Sequence, residues 1–308
     1  MPPAISLPAG MLLLWAGAEL LVRGASHLAA ALGVSRLVIG LTLVAFGTSL
    51  PELMVSLTAG IRGEPGVVLG NVVGSNIANI GLIVGLAALL RPIAVQHRVT
   101  RREIPWMLIA ALLTVPLAVD GGLGRGAGVI LMGTFGLYLT FFFWASPPTG
   151  SEPEGEPLSK AWAVPLGLAV LGLGLLITGA PLFLNGAIAV ARAVGISELV
   201  IGLTLVAVGT SLPELATSVV AALKGQSDIA LGNIVGSNVF NVLLILGATV
   251  TVFPIEVPSL ALWRDIPAML ILSALLLPVC RTGFTVSRLE GVLLLCLYGL
   301  YLAWLFLS

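Results

Sequence analysis

The sequence predicts an all-α membrane protein with ten transmembrane helices, arranged as two inverted five-helix repeats. The first observation is composition: the 308 residues are 58% hydrophobic and 9% charged, with a mean hydropathy of +1.12. The second is that apolar runs near or above about 18 residues, long enough to cross a bilayer, recur along the chain. The third is a duplication, because G-T-S-L-P-E-L occurs at 47–53 and again at 209–215.

The hydropathy of the chain predicts ten spans. Each is expected to be helical, because lipid offers no hydrogen-bond partners to backbone N–H and C=O groups and a helix pairs them internally. The spans cover approximately 7–32, 37–60, 67–90, 104–119, 127–145, 162–191, 199–223, 229–252, 262–279 and 289–307. Residues 146–161 are acidic and rich in Pro and Gly, which predicts a flexible linker. The chain therefore divides into a first repeat at 1–145 and a second at 162–308.

The duplication extends well beyond the seven-residue motif. Residues 33–60 align with 195–222 without a gap, with 20 identities in 28 positions. The same offset aligns G-N-V-V-G-S-N-I-A-N at 70–79 with G-N-I-V-G-S-N-V-F-N at 232–241. Five spans per half is an odd number, so the second copy enters the membrane from the opposite face. Transporters with inverted repeats place their substrate between the two copies, near the midplane.

Basic residues in the loops predict the orientation, because cytoplasmic loops carry an excess of Lys and Arg. Nine lie on one face, against four on the other. The first face carries Arg36, Arg91, Arg98, Arg101, Arg102, Lys160, Lys224, Arg281 and Arg288, and the second Arg62, Arg125, Arg192 and Arg264. The expectation is a multi-pass protein of the cell (inner) membrane with both termini extracytoplasmic.

Two acidic residues in apolar spans, Glu52 and Glu214, indicate a function. An acidic side chain at the bilayer centre costs about 2.5 kcal/mol or more. The prolines before them, Pro51 and Pro213, add a second cost because proline lacks an N–H. The chain carries both costs at two matching positions, and this predicts a cation site.

The groups near these glutamates supply oxygen ligands. Thr48 and Ser49 lie four and three residues before Glu52, so the three side chains can share a helix face. Pro51 is expected to leave carbonyls near 45–47 without their usual donors. Oxygen donors of this kind suit Ca²⁺ or Na⁺ rather than zinc or copper. The full set of side chains is Thr48, Ser49, Glu52, Ser75, Asn79, Thr210, Ser211, Glu214, Ser237 and Asn241.

Structural roles compete for several of these positions. The G-x-x-x-G pairs at 70/74 and 232/236 are typical of helix packing, and Asn76 and Asn238 suit interhelical hydrogen bonds. The two glutamates could instead be buried, protonated acids. Glu19, Arg23 and His27, spaced four apart on the first span, suit an ion pair facing protein or water, and they are not duplicated.

The two repeated motifs, G-T-S-L-P-E and G-N-x-x-G-S-N-x-x-N, resemble the alpha-repeats of the sodium/calcium exchanger family, within the calcium/cation antiporter superfamily. The resemblance covers nearly the whole chain and is closest to prokaryotic members. It implies a secondary active antiporter in which Na⁺ enters, Ca²⁺ leaves and the first and sixth spans rock. Carried over residue by residue, the ligands are the ten side chains above and the backbone oxygens of Ala45 and Ala207.

The family pattern is not matched everywhere. Some members, notably potassium-dependent ones, have aspartate where this chain has Asn241, which argues against potassium co-transport. The proton-coupled branch usually has G-N-x-x-E where G-T-S-L-P-E stands here. No cofactor is expected beyond the transported Ca²⁺ and Na⁺. The expected surroundings are the lipid bilayer, with no nucleic acid, because the net charge is zero, and no obligatory protein partner.

Other functions stay open from the residues alone. A Ca²⁺/H⁺ exchanger could use the same glutamates as proton carriers, and Mg²⁺ or Mn²⁺ could be the cargo. An intramembrane enzyme with Ser49 or Ser211 as nucleophile would need a base, and the two histidines, His27 and His97, do not repeat beside either serine. The sequence therefore predicts no enzymatic activity. A channel or a structural protein is a further alternative.

Overall fold

The computed structural model describes residues 3–144, 162–195 and 207–307, and these are almost entirely helical. The predicted linker and the start of the seventh predicted span lie outside the described residues. The helices are α1 Pro3–Leu32, α2 Arg36–Thr48, α3 Leu50–Arg62, α4 Pro65–Leu90, α5 Ile104–Ala118, α6 Arg125–Trp144, α7 Ala163–Ala193, α8 Ala207–Gly209, α9 Leu212–Leu223, α10 Ser227–Val252, α11 Ala261–Arg281 and α12 Arg288–Leu307.

Seven of the described helices are long and apolar enough to cross a membrane, and the bent pair α2–α3 makes an eighth. The two predicted spans that fall short are represented by α5, with 15 residues, and by α9, with 12. The described residues thus form a multi-pass helical membrane protein, whereas the full count of ten spans is not reached by length and composition alone. Among the seven, α4 and α10 are the most buried and form the centre of the bundle.

The helix break after Thr48 has a local cause. Pro51 has no N–H to donate to the carbonyl four residues earlier, so the chain bends by 43° between α2 and α3. Ser49 sits in the break with φ −85° and ψ 6°, and Ser211 has nearly the same angles, −84° and 9°. The repeated motif therefore gives the same break in both halves.

In the described segments, four short strands join the two halves outside the helices. They are β1 Ile93–Ala94, β2 Gly122–Leu123, β3 Ile255–Glu256 and β4 Thr285–Val286. β1 pairs with β4 and β2 pairs with β3, both antiparallel. β1 precedes α5 and β2 follows it, so these two strands lie at opposite ends of α5. By the 162-residue offset, β3 is the counterpart of β1. Because β3 pairs with β2, it lies at the end of α5 opposite to β1.

Helices α1 and α7 pack against each other along their length in an antiparallel seam of glycines. Gly10, Gly17 and Gly24 recur every seven residues on α1, and their counterparts on α7 are Gly172, Gly179 and Gly186. A Cβ atom at Gly17 would lie 2.7 Å from the carbonyl oxygen of Gly172. Small residues let helix backbones approach this closely in lipid.

An ion pair ties α1 to the second half. Glu19 accepts from Arg23 at 2.6 Å, and Lys224, just past the end of α9, also donates to it. His27 is exposed one turn further along α1. By the 162-residue offset, the counterpart of Glu19 is Pro181 and that of Lys224 is Arg62. Because proline carries no charge, the equivalent ion pair cannot form at the counterpart positions.

The two G-x-x-x-G pairs differ in what they contact. A Cβ atom at Gly232 would lie 3.0 Å from the Leu37 carbonyl, and one at Gly236 would lie 2.8 Å from the Leu41 carbonyl. This close approach is the helix-packing role expected from the sequence. At Gly70 and Gly74 a Cβ atom would meet nothing within 4 Å in the described part of the chain. The counterparts of Leu37 and Leu41 fall at 199 and 203, beyond the described residues.

Candidate cation site

The two glutamates lie at the contact between the halves, each only 1% exposed. The hydroxyl of Ser49 donates to Glu214 Oε1 at 3.0 Å, and that of Ser211 donates to Glu52 Oε1 at 3.2 Å. Each carboxylate is therefore oriented by the serine of the other repeat. Glu52 and Glu214 are also near enough to interact electrostatically.

The predicted residues of α4 and α10 are buried as well, and Ser75 contacts this cluster. Ser75 Oγ lies 3.1 Å from Ser211 Oγ, and Asn79 and Asn241 are buried at 1% exposure. Asn79 begins a π-helical stretch, and Asn241 lies in the matching one, Phe240–Leu246. Wide π turns within α-helices are frequent at functional sites. Ser237 is fully buried.

Several buried side-chain oxygens have no hydrogen-bond partner. They belong to predicted ligand residues of both halves, and they are Glu52 Oε2, Glu214 Oε2, Asn79 Oδ1, Asn241 Oδ1 and Ser237 Oγ. Buried polar atoms without partners are rare in proteins and indicate a ligand, ion or water that satisfies them. A set made up of oxygens, two of them from carboxylates, is suited to a hard cation.

No basic side chain neutralises the two glutamates within the described segments. The side-chain hydrogen bonds that they accept come from serine hydroxyls, and the two carboxylates also interact with each other. The same segments hold no group of three or more Asp, Glu, His or Cys residues placed to bind a metal. A cation here would rely on two carboxylates and neutral oxygens.

The threonines face the opposite half as well. Thr48 Oγ1 lies 3.0 Å from Asn233 Oδ1, and Thr210 Oγ1, which is half-buried, lies 3.3 Å from Asn71 Oδ1. A hydroxyl that donates its proton in this way keeps lone pairs that can face a cation.

The backbone near Ala45 differs from the sequence-based expectation. Its carbonyl keeps the helical hydrogen bond from the Ser49 N–H at 3.1 Å, because the missing donor at Pro51 belongs to Gly47. In the second half the Ser211 N–H instead donates to Val208 at 3.1 Å, one residue past Ala207. The turn is thus tighter in the second half, and the two alanine carbonyls are not equivalent.

Sequence reasoning missed Asn71 and Asn233. Asn71 Nδ2 donates to the Glu52 carbonyl at 2.9 Å and to Ser56 Oγ at 2.8 Å. Asn233 Nδ2 makes the matching contacts, to the Glu214 carbonyl at 3.4 Å and Ser218 Oγ at 2.9 Å. Each asparagine thereby links the glutamate helix of its own half to the threonine of the other. The repeated G-N at the start of both second motifs was the available signal.

Comparison with known proteins agrees with this arrangement. Residues 3–144 and 164–307 match the family described as "Sodium/calcium exchanger protein". The chain belongs to the sodium/calcium exchanger family. Members of this family are ion-transporting antiporters, and the family is one of transporters rather than enzymes.

Several relatives match nearly the whole chain. A putative antiporter, CaxA, of Alkalimonas amylolytica is 42% identical over 97% of this chain and 96% of its own length. The inner membrane protein YrbG of Escherichia coli is 38% identical, with 96% and 93% covered. The sodium/calcium exchanger MaX1 of Methanosarcina acetivorans is 38% identical, with 96% of both covered.

Solved structures of the exchanger family share the fold. A structure of the sodium-calcium exchanger NCX_Mj, soaked with Na⁺ and Sr²⁺, superposes with a TM-score of 0.85 at 33% identity. It covers 98% of this chain and 97% of the solved one. The fold of the described residues is therefore that of a sodium-calcium exchanger.

Proposed function

We propose that this exchanger-family protein moves Na⁺ inward and Ca²⁺ outward through one shared site by alternating access. The observation that carries the proposal is the set of partnerless buried oxygens contributed by both halves. They include one oxygen of each of the two glutamates, which no basic residue of the described segments neutralises. A cation satisfies these atoms and a purely structural role does not.

Charge explains why such a site exchanges ions. With Glu52 and Glu214 ionised, the site carries a charge of −2, which one Ca²⁺ neutralises. Three Na⁺, the number that the family suggests, bring the total to +1, so one cycle moves net charge. Ca²⁺ and a full set of Na⁺ compete for the same oxygens, and mutual exclusion at one locus couples the two fluxes. The ligands in this proposal are the ten predicted side chains with the carbonyl oxygens of Ala45 and Ala207.

The proposed architecture is ten spans in two inverted repeats. The strand pairing supports inversion, because the counterpart strands β1 and β3 are at opposite ends of α5. The shorter helices α5 and α9 supply the fourth and seventh spans, α5 with its preceding π-helical turn Val99–Glu103 and α9 with α8. The excess of basic loop residues supports a cytoplasmic location for the loops that contain Arg91 and Lys224. Both termini are then extracytoplasmic.

Proton coupling is the second candidate, and one observation favours it. Each glutamate accepts one serine hydroxyl on Oε1 and leaves Oε2 free, so the free oxygen can take a proton as well as a metal ion. The two mechanisms predict different responses to Na⁺ and to pH.

Reconstituted liposomes separate these candidates. We expect an imposed Na⁺ gradient at constant pH to drive uptake of ⁴⁵Ca²⁺ against its own gradient. A pH jump without Na⁺ is expected to drive little uptake. Uptake that follows pH and ignores Na⁺ would establish the proton exchanger instead. Vesicles that load Ca²⁺ from either side without any counter-ion would contradict both.

A further inference from the structure

Two buried asparagines form hydrogen bonds that connect the candidate ligands of the two halves, an arrangement called the relay below. Asn76 and Asn238 occupy the same position in the two repeats and are 2% and 1% exposed. Asn241 Nδ2 donates to Asn76 Oδ1 at 3.0 Å, and Asn79 Nδ2 donates to Asn238 Oδ1 at 2.9 Å. Each candidate ligand amide is thus held by the asparagine of the opposite half.

Two methionines hold the far side of this relay. Asn76 Nδ2 lies 3.5 Å from Met269 Sδ and 3.3 Å from the Asn238 carbonyl oxygen. Asn238 Nδ2 lies 3.5 Å from Met107 Sδ. Met107 and Met269 are also counterparts at the 162-residue offset, and both are buried.

These contacts fix the direction in which every amide points. A thioether sulfur and a backbone carbonyl can only accept hydrogen bonds. The NH₂ groups of Asn76 and Asn238 must therefore face them, and the oxygens of these two residues must face Asn79 and Asn241. The NH₂ groups of Asn79 and Asn241 in turn donate to these oxygens. What remains is Oδ1 of each, buried and without a partner at the candidate site.

We infer that Asn76, Asn238, Met107 and Met269 are positioning residues that keep the amide oxygens of Asn79 and Asn241 turned toward the cation. An amide presents an oxygen on one side and NH₂ on the other, and the second repels a cation. A carboxylate has oxygens on both sides and does not require such orientation. The relay therefore matters in a site that uses asparagine amides at both positions.

The relay is unequal in its two halves. Asn76 has two acceptors for its NH₂ group, a sulfur and a carbonyl, whereas for Asn238 the described contacts supply Met107 Sδ alone. Without the Met107 sulfur, the Asn238 amide should be able to exchange the positions of its oxygen and its NH₂ group. The Asn79 amide, which donates to that oxygen, should then be able to do the same. Loss of the Met269 sulfur leaves the carbonyl in place. A purely packing role would make the two methionines equivalent, because both are buried at matching positions.

Calcium binding to the purified protein tests this inference, which rests on the proposed cation site. Met107→Leu keeps the volume and removes the acceptor, so we expect the Kd for Ca²⁺, measured by titration calorimetry, to rise about fivefold, the effect of one modest hydrogen bond. Met269→Leu is expected to raise it by less than about twofold. Met107→Gln returns an acceptor oxygen and should restore tight binding. Exposed Met11→Leu is the matched control and should leave Kd unchanged.

The outcomes separate the relay from the site itself. Unchanged thermal stability of the cation-free Met107→Leu protein, together with weaker Ca²⁺ binding and rescue by Gln, supports the relay. Equal effects of the two leucine variants, or no rescue by Gln, would overturn it while leaving the cation site intact. Failure of the unsubstituted protein to bind Ca²⁺ would overturn the proposed function and the relay together.

Discussion

Glu214→Gln should reduce Na⁺-driven Ca²⁺ uptake by at least about 100-fold, because removing one charge of a buried, mutually dependent set costs several kcal/mol. The glutamine keeps the shape of the side chain, and its amide oxygen can still accept from Ser49. What changes is the charge of the site, from −2 to −1, which a divalent ion no longer balances. Uptake of ⁴⁵Ca²⁺ into liposomes with an inward or outward Na⁺ gradient measures the effect. Glu52→Gln is expected to behave alike.

Thermal unfolding distinguishes this loss from misfolding. Removing one of two buried acids that repel each other is expected to leave the Tm of the cation-free protein unchanged or to raise it. The rise in Tm that Ca²⁺ gives to the unsubstituted protein, as any ligand of the folded state does, should disappear. Glu64→Gln changes an exposed acid between α3 and α4 and serves as the control. A Glu214→Gln protein that transports at more than a tenth of the normal rate would remove the glutamate from the mechanism.

Gly172→Val is expected to separate α1 from α7 and to destabilise the protein by about 1–3 kcal/mol or more, the range for forced overpacking. A Cβ atom at this position would lie 2.5 Å from the Leu21 nitrogen and 2.6 Å from the Gly17 carbonyl oxygen. Both atoms are backbone, so no side chain can rotate away, and the helices must move apart. The Tm in detergent and the exchange rate in liposomes should both fall.

The same helix supplies the control for the glycine seam. Gly174 lies two residues further along α7, and a Cβ atom there would meet nothing within 4 Å in the described part of the chain. Gly174→Val makes the same chemical change without the collision, and its Tm should stay close to that of the unsubstituted protein. Equal destabilisation by both substitutions would mean that intrinsic helix preference, and not backbone contact, explains the effect.

Much of the fold was accessible from the sequence because its determinants are local. Hydropathy located a described helix for each predicted span, whereas the breaks next to Pro51 and Pro213 interrupt spans that the sequence predicted as continuous. The family resemblance is confirmed by the match over both halves. The count of ten spans was harder to establish, since α5 and the described part of the seventh span are shorter than a membrane-crossing helix.

The pairing between the halves could not be read from the sequence. Ser49 donates to a glutamate 165 residues away rather than to Glu52, three residues along its own chain. Which of these carboxylates it meets depends on how two broken helices cross, and spacing along one helix carries no such information. For the same reason Asn71, Asn233 and the two methionines escaped notice, although all four are duplicated. The ligand roles of the twelve predicted residues stay predictions.

The ion pair between Glu19 and Lys224 has a consequence for how the protein rests between cycles. In an inverted repeat the two end states are related by exchanging the roles of the halves, and in the exchanged state Arg62 would meet Pro181, which has no charge to offer. A partly exposed pair contributes of order 0.2–1 kcal/mol, so it can tilt the balance between the states by up to about fivefold. The cation site would then be open to one face of the membrane more often than to the other. The same oxygens would show unequal apparent affinities on the two sides of the membrane.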